Sequence, residues 1–384
     1  MKRFLTLLAA AALLGTLATP TPADETKPGP AAPESVKADD KPHIDVVFCI
    51  DCSGSMGPVI ETAKQKVWTI VNEVARAKPS PVLRIGLLGY GNGDRTYRPF
   101  DLTDDLDEVY KNLVTFKDEG WGDEYVGRAV HKATNEFKWS DGKQVLRVIY
   151  VVGNETARQG PAEFDYTKTA PAAIGKGIIV NAIYCGNTDY AKATPTWREM
   201  AKLADGQYME IAATGGAVIV ATPFDQEMAE LSARLNTTYV GYGASGAAGL
   251  EKQAAQDANA ARVGGATAAD RAAAKSARQY DNARWDLVDA SRNKDFKLDE
   301  LKDEQLPEEL RKLTPEERKA YVEKKAAERA EVQKRIQEVA ARRARYIKEE
   351  AERQGLKGDG AFDKAVRESI AEQAKEKGFA FEEK

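Results

Sequence analysis

Histidine, cysteine and nucleotide-binding motifs are scarce or missing in this sequence. It contains two histidines and three cysteines, and no second Cys/His pair follows Cys49 and Cys52, so a four-ligand zinc site is not expected. His43 precedes the first apolar run and His131 lies within a predicted helix, so a Ser-His-Asp or Cys-His catalytic set has no obvious point of assembly. No Gly-x-x-x-x-Gly-Lys phosphate loop is present either. The sequence therefore predicts a protein that is not an enzyme.

The sequence also has no excess of basic residues and no long apolar run. The formal net charge is −4 and the pI is about 5.6, which argues against a nucleic-acid-binding protein with a broad basic face. The longest apolar stretch, residues 4–18, spans about 15 residues, fewer than the ~20 that a membrane-spanning helix needs. Neither a nucleic-acid partner nor a stable membrane span in the mature chain is expected.

Residues 1–23 have the pattern of a secretory signal. Lys2 and Arg3 precede the apolar stretch, and small residues follow it. Cleavage after Ala18 or after Ala23 fits equally well. This pattern predicts export to the periplasm or the extracellular space. Residues 24–42, which are rich in Pro, Ala, Lys and acids, are expected to form a flexible linker.

Apolar runs alternate with helical patterns after this linker. Such alternation predicts an α/β fold with a doubly wound, mostly parallel sheet that helices cover on both faces. The predicted strands are 46–50, 83–90, 97–100 (a short edge strand), 145–152, 178–184 and 207–211. The predicted helices are 58–77, 105–115, 125–137, 167–175, 195–204 and 223–235.

The first apolar run ends in the loop Asp51-Cys-Ser53-Gly-Ser55. Open α/β sheets bind ligands at the carboxyl ends of their strands, and this loop follows such an end. Alternate positions can direct one carboxylate and two hydroxyls at a common point. Because these ligands are all oxygens, they suit a hard cation such as Mg²⁺ better than Zn²⁺.

This loop and its context resemble a von Willebrand factor A domain, whose metal-ion-dependent adhesion site opens with Asp-x-Ser-x-Ser. The resemblance extends over residues 43–242 and implies further ligands from two more loops. Where the family usually has a Thr after paired glycines, Gly120-Trp-Gly-Asp123 places Asp123. Where it usually has an Asp after a buried strand, Val152-Gly-Asn154 places Asn154.

The metal site that the resemblance implies thus combines two carboxylates with neutral oxygens. Its predicted cation is Mg²⁺, with Mn²⁺ or Ca²⁺ as alternatives. In the family, an acidic side chain of a protein partner completes the coordination. The predicted ligands are Asp51, Ser53, Ser55, Asp123 and Asn154.

Two further patterns leave alternatives open. Cys52 and Cys185 both follow predicted strands, so a disulfide between them is conceivable, although spacing does not determine connectivity. The segment from Asp289 to Glu300 matches several ligand positions of a calcium-binding EF-hand loop. However, Lys294 replaces the glycine that the sharp turn requires, and we expect a solvated charged turn.

The composition changes after residue 242. Residues 243–313 form an Ala/Gly-rich and then helical connector, and residues 314–384 a long charged helical tail. Thr314-Pro-Glu-Glu317 is a capping box, and a helix of roughly 40 residues after it would be ~60 Å long. The tail either folds partly on itself or self-associates as a coiled coil. A similar tail beginning with Trp-Asp-Leu-Val-Asp follows A domains in some exported bacterial proteins.

Two functions fit this sequence. The first is an exported, non-enzymatic, metal-dependent binding module of the adhesion type. The alternative is a metal-free structural or scaffold protein of the cell envelope that acts through its helical tail. The alternating elements of residues 43–242 also suggest a complete two-sided core that folds without the tail.

Overall fold

A computed structural model describes residues 36–37, 41–93, 95–186, 190–216, 219–355 and 361–381. The predicted signal at 1–23 and most of the predicted linker at 24–42 lie outside these residues. The strands are β1 (Val36–Lys37), β2 (His43–Asp51), β3 (Ala77–Lys78), β4 (Val82–Gly91), β5 (Thr96–Thr103), β6 (Ser140–Asp141), β7 (Val145–Gly153), β8 (Ile179–Tyr184), β9 (Tyr208–Glu210) and β10 (Ala380–Phe381).

Helices connect and cover these strands. The α-helices are α1 (Gly57–Val74), α2 (Leu106–Leu113), α3 (Val126–Glu136), α4 (Tyr166–Ile174), α5 (Tyr190–Leu203), α6 (Asp225–Asn236), α7 (Gly246–Val263), α8 (Gly265–Lys275), α9 (Leu287–Ala290), α10 (Glu308–Arg311), α11 (Pro315–Arg353) and α12 (Phe362–Lys375). Single 3₁₀ turns occur at Ala162–Phe164, Leu298–Glu300 and Asp303–Gln305.

The central sheet has six strands in the order β5-β4-β2-β7-β8-β9. Every neighbouring pair is parallel except β4 and β5, which are antiparallel. All nine residues of β2 are buried, as expected for a central parallel strand with a continuous apolar sequence. The prediction of a mostly parallel sheet with an added edge strand is confirmed.

Successive residues of β2 face opposite sides of the sheet, as strand geometry requires. Phe48 and Ile50 belong to the core beneath α1 and α2. Val47 and Cys49 belong to the core beneath α3, α4 and α5. The sheet therefore lies between two helical layers, which confirms the doubly wound arrangement. Within the part of the chain that is described, no helix is both long and apolar enough to cross a membrane.

One expectation needs correction: residues 43–242 do not complete the core on their own. Helix α12, from the far end of the chain, packs against α1 and β7. It buries Val366 and Ile370 completely. The hydroxyls of Tyr150 in β7 and Ser369 in α12 lie 2.7 Å apart. The C-terminal helix is therefore part of the layer that covers the sheet.

Removing residues 361–384 is expected to abolish cooperative unfolding of the remaining chain. The deletion exposes the apolar surface under α12, and each buried aliphatic side chain that it removes contributes about 1.5–3 kcal/mol. It also takes away Gln373, whose amide makes two hydrogen bonds with the buried Asn181, at 2.7 and 2.9 Å. Thermal unfolding followed by circular dichroism tests this. A sharp transition of the shortened chain at any temperature would contradict it.

Helices α7, α8 and α11 form a further layer on the side of the sheet that α1 covers. Helix α8 packs against α1 and α6, and α11 packs against α6 and α8. Val332, Ile336 and Val339 of α11 are buried in the core that includes α1. The predicted long helix is confirmed, together with the capping box at Thr314. Its narrow apolar stripe is covered by its own chain.

The Trp-Asp-Leu-Val-Asp segment anchors α11. Arg329, which interrupts the apolar stripe, is 1% exposed. Its Nη1 donates to Asp286 Oδ2 at 2.7 Å and to Asp289 Oδ1 at 2.8 Å. Its Nη2 donates to the main-chain oxygen of Thr238 at 2.7 Å. Asp289, the first position of the calcium-loop-like segment, is thus buried against arginine, while residues 291–295 after it are exposed, as expected for a solvated turn.

Candidate metal-ion site

The loop that follows β2 is held together by its own polar side chains. The main-chain N–H of Ser53 donates to Asp51 Oδ1 at 2.8 Å, and Ser53 Oγ lies 3.0 Å from Asp51 Oδ2. The Ser53 and Ser55 hydroxyl oxygens are 3.3 Å apart. Asp51 and Ser53 are buried and Ser55 is exposed. The three predicted ligands of this loop therefore form one cluster that opens to solvent at Ser55.

Asn154 joins this cluster from the neighbouring strand. It directly follows β7, which pairs in parallel with β2, so both loops leave the same edge of the sheet. Its Nδ2 donates to Ser55 Oγ at 2.7 Å. Its Oδ1 is buried and has no hydrogen-bond partner among the described residues. The structure thus brings together four of the five predicted ligands.

The fifth predicted ligand, Asp123, is not brought to the cluster. Its side chain is exposed, while its main-chain oxygen accepts from Gly93 N–H at 2.7 Å. The next residue, Glu124, is 1% exposed and points inward. Its Oε1 lies 2.9 Å from Ser53 Oγ. The second carboxylate of the cluster therefore comes from Glu124, whose side chain is buried beside Ser53 while that of Asp123 faces solvent.

The surrounding loops hold Glu124 in this position. Its main-chain N–H donates to Gln159 Oε1 at 2.6 Å, and Gln159 Nε2 donates to Glu155 Oε2 at 2.7 Å. The N–H of Gly54 donates to the oxygen of Gly120 at 2.7 Å, which ties the loop before α3 to the loop after β2. Glu124 is thus held both through its main-chain N–H and through its carboxyl group.

The pKa values of both buried carboxyls are raised, which favours a proton on this pair in the absence of a cation. Burial raises the pKa of Glu124 well above its ordinary value, and the nearby Asp51 charge raises it further. Burial also raises the pKa of Asp51. The Ser53 hydroxyl lies within hydrogen-bond distance of both carboxyls but has only one proton to donate. A protonated Glu124 would supply the second proton.

The donor set fits a hard divalent cation. Glu124 Oε2 and Asn154 Oδ1 are both buried and unpartnered within the described residues, and a buried oxygen without an electropositive partner is unfavourable. Oxygens of carboxylates, hydroxyls and amides are the ligands that Mg²⁺, Mn²⁺ and Ca²⁺ prefer. No three His, Cys, Asp or Glu side chains of the described residues form a metal-binding group. The hydroxyls and the amide therefore have to contribute.

Gly91 leaves room for the first ligand. Its φ is +129°, and a Cβ at this position would lie 2.9 Å from Asp51 Oδ1. Any larger residue would displace that carboxylate or strain the backbone. The absence of a side chain at Gly91 thus allows the Asp51 carboxylate to occupy its position in the site.

Cysteines do not take part in this cluster. Cys49, Cys52 and Cys185 are buried free thiols. Burial raises the pKa of the Cys52 thiol to about 12, which opposes formation of the thiolate that metals and disulfide exchange require. The Sγ of Cys185 lies 3.1 Å from the main-chain oxygen of Gly153. The bridge between Cys52 and Cys185 is not formed in this structure.

A serine, a histidine and an aspartate meet at the opposite edge of the sheet. Ser140 Oγ lies 3.3 Å from His43 Nδ1 and 3.1 Å from Asp45 Oδ1. Arg84 Nη1 donates to the same hydroxyl at 2.8 Å. The four side chains are 0–8% exposed, so a substrate cannot reach the serine. This group stabilises the amino end of the sheet.

The family comparison agrees with the sheet and with the loop after β2. The profile of the von Willebrand factor type A domain matches residues 45–210. Residues 45–210 are a von Willebrand factor type A domain. Domains of this family are generally interaction modules. The matched region ends at the last strand of the sheet, so the helices from α6 onward lie outside it. No curated protein matches the chain.

Several solved structures resemble the domain at low identity. BatB from Bacteroides thetaiotaomicron is 18% identical over 44% of this chain and 90% of its own, with a TM-score of 0.35. Proximal thread matrix protein 1 from the mussel byssus, with a zinc-occupied MIDAS motif, is 12% identical over 44% of this chain and 42% of its own, with a TM-score of 0.34. The pilus adhesin SpaC from Lactobacillus rhamnosus GG is 13% identical over 46% and 29%, with a TM-score of 0.34.

Proposed function

We propose that the A domain binds a divalent cation and uses it to capture a protein partner through an acidic side chain of that partner. The cation is Mg²⁺, with Mn²⁺ or Ca²⁺ as substitutes. One observation carries the proposal: two buried oxygens, on Glu124 and Asn154, lack hydrogen-bond partners among the described residues, in a cluster that already holds a carboxylate and two hydroxyls. The proposed ligands are Asp51, Ser53, Ser55, Glu124 and Asn154.

The residues have distinct parts in this function. Asp51 and the deprotonated Glu124 would balance the charge of the dication, and Asn154 Oδ1 would add a neutral oxygen. Ser55 is exposed, so the cation would meet solvent on that side. A carboxylate from a partner can approach there, and its attraction to the dication weakens with salt. The chain's part is to bind and orient, without a chemical reaction.

Export belongs to the same proposal. Residues 1–23 carry the features of a secretory signal, and a partner-binding module of this type is useful outside the cytoplasm. Fractionation of cells that express the full chain tests this. We expect a shortened mature protein in the periplasmic or extracellular fraction. Full-length protein retained in the cytoplasm would contradict export without affecting the metal site.

Capture from envelope extract tests the binding function. The immobilised full chain is expected to retain a partner in the presence of Mg²⁺ and to release it when a chelator is added. The Asp51→Ala variant lacks one of the two carboxylates of the site, and it should retain no partner either in Mg²⁺ or in chelator. Partner retention that is indifferent both to the chelator and to Asp51→Ala would contradict a metal-dependent mechanism.

A metal-free scaffold is the second candidate. The observation in its favour is that Ser53 Oγ lies 2.9 Å from Glu124 Oε1, because burial raises the pKa of Glu124 and a protonated carboxyl there satisfies much of the cluster without a cation. The helices after residue 242 would then make the contacts. Melting temperatures that do not change on adding Mg²⁺, Mn²⁺ or Ca²⁺ would support this function, since a ligand that binds the native state stabilises it.

A further inference from the structure

Few large apolar side chains of the described residues are exposed, and Trp121 is the one beside the metal site. Within the described residues they are Trp121, 79% exposed, Ile219, 51%, and Tyr190, 44%. Trp121 lies in the loop before α3 that contacts the loop after β2. Tyr190 and Ile219 follow β8 and β9, the next strands of the same parallel sheet. The hydroxyl of Tyr190 donates to Glu210, the last residue of β9, at 3.0 Å.

Trp121 is the most exposed of the three and lies against the metal-site loop. A Cβ at Gly54, between Ser53 and Ser55, would be only 3.3 Å from its indole Cε2. Gly120 and Gly122 flank Trp121 with φ values of +99° and +153°, a backbone that other residues rarely adopt. The indole is therefore presented to solvent by a shaped turn directly beside the proposed cation.

Exposing an indole to this extent is unfavourable in an isolated chain. Burying a large aromatic side chain is strongly favourable, and exposed tryptophans that become buried in a complex are frequent sources of binding energy. Its position beside Ser53 and Ser55 places it within reach of any group that follows a carboxylate bound to the cation. The neighbouring side chain of that partner therefore determines whether the indole is covered.

We propose that Trp121 is a specificity-determining contact, and that the partner presents an acidic side chain next to a large apolar one. This inference rests on the proposed function and adds the class of partner. The dication beside the indole disfavours a basic neighbour, and the exposed carboxylates of Asp118 and Asp123 on the same loop disfavour a further acidic one. Arg95 Nη2 donates to the main-chain oxygen of Trp121 at 3.4 Å, so both the dication and Arg95 repel a cationic side chain at this position.

Synthetic peptides test this contact with the full chain. Fluorescein-labelled peptides that differ only in a central Glu-Leu, Glu-Gly, Glu-Lys or Gln-Leu pair are titrated with the protein in Mg²⁺ and in chelator. We expect Glu-Leu to bind at least about tenfold more tightly than Glu-Gly or Glu-Lys, a ratio that corresponds to about 1.4 kcal/mol. Gln-Leu should not bind, and chelator should abolish binding of the other three.

Substitutions at Trp121 separate this contact from metal binding. Trp121→Ala should bind Glu-Leu and Glu-Gly equally, while its calorimetric affinity for Mg²⁺ stays within about twofold of the parent, a difference well under 1 kcal/mol. Trp121→Phe should recover part of the preference. Tyr190→Ala is the matched control, an exposed aromatic on a neighbouring loop, and should keep the full preference.

Tryptophan fluorescence gives a direct readout of the same contact. The chain has five tryptophans, and Trp121 is the only one with a largely exposed side chain; the others, each at most 7% exposed, are Trp68, Trp139, Trp197 and Trp285. Binding of the Glu-Leu peptide should therefore shift the emission to the blue and protect it from acrylamide. Binding of Glu-Gly should do neither.

The outcomes distinguish this inference from the proposed function. Equal affinity of the parent for Glu-Leu and Glu-Gly, unchanged in Trp121→Ala, would overturn the role of Trp121 and leave metal-dependent binding intact. The absence of Mg²⁺-dependent binding to every glutamate peptide would overturn both. An equal loss of preference in Tyr190→Ala would overturn the assignment to Trp121.

Discussion

Replacing Arg329 by alanine is expected to destabilise the protein by about 3–5 kcal/mol, the range for removing one partner of a buried ion pair. Asp286 and Asp289 are 0% and 3% exposed; Asp286 would lose its cationic partner, and Asp289 would keep only Arg292, whose side chain is 48% exposed. The guanidinium also stacks on Tyr239, 4.0 Å from the ring centroid. Urea unfolding of the full chain measures the change in the free energy of unfolding.

Arg335→Ala is the matched control for this prediction. Arg335 lies on the same helix and pairs with Glu227, but the two side chains are 44% and 35% exposed. Exposed pairs contribute about 0–1 kcal/mol, so this substitution should have little effect. Equal losses in both variants would show that α11 does not depend on the buried cluster around Arg329.

The metal-free protein is expected to become less stable as the pH rises from about 5 to about 8, and Glu124 is expected to be a principal cause. Its pKa is 4.5 when unperturbed and is raised in the folded chain. Between these two values the folded state binds more protons than the unfolded state, so the free energy of unfolding falls as the pH rises. One proton contributes at most about 1.4 kcal/mol per pH unit.

Glu124→Gln should reduce this slope, because the amide does not titrate. Asp51 has a raised pKa as well and should leave a smaller slope of the same sign. Excess Mg²⁺ should flatten the slope of the parent, since the cation favours the deprotonated carboxyls. Melting temperatures at several pH values, with chelator and with Mg²⁺, test this. A parent and a Glu124→Gln variant with identical slopes in chelator would contradict a proton on the Asp51 and Glu124 pair.

The sheet was predictable from the sequence because each of its central strands is a continuous apolar run bounded by turn residues. The run that ends at Asp51 and the run that begins at Val145 form neighbouring parallel strands. Helical segments separate the two runs in the sequence, as a parallel pair requires. The start of α5 was less predictable. Pro195 suggested a helix start, whereas the helix begins at Tyr190 and includes Pro195.

The ligands of the site were predictable only where the sequence contains one candidate residue for each position. Asp51, Ser53 and Ser55 alternate after a strand and so face one point. Asp123 and Glu124 are adjacent acids in a glycine-containing loop, and no pattern in the sequence indicates which of them faces inward. The decisive contact comes from Gln159, which is 35 residues away and invisible to local reasoning.

The role of the tail depended on contacts across the whole chain. Arg329 disrupts the apolar stripe of α11 when it is viewed along one helix. It is buried because Asp286 and Asp289, about 40 residues earlier, form a matching pair of carboxylates. Likewise, Gln373 is complementary to Asn181 in β8. Neither pairing has a spacing or a composition that identifies it in advance.

Calorimetric titration with Mg²⁺ of the parent, Asp123→Asn and Glu124→Gln tests the central claim most directly. These two variants change adjacent acids, one exposed and one buried against Asp51. We expect the parent and Asp123→Asn to bind Mg²⁺ with the same affinity and to release protons on binding. Glu124→Gln should bind at least about tenfold more weakly, a loss of about 1.4 kcal/mol or more, with less proton release. Loss of binding in Asp123→Asn with full binding in Glu124→Gln, or no binding by the parent, would contradict the account.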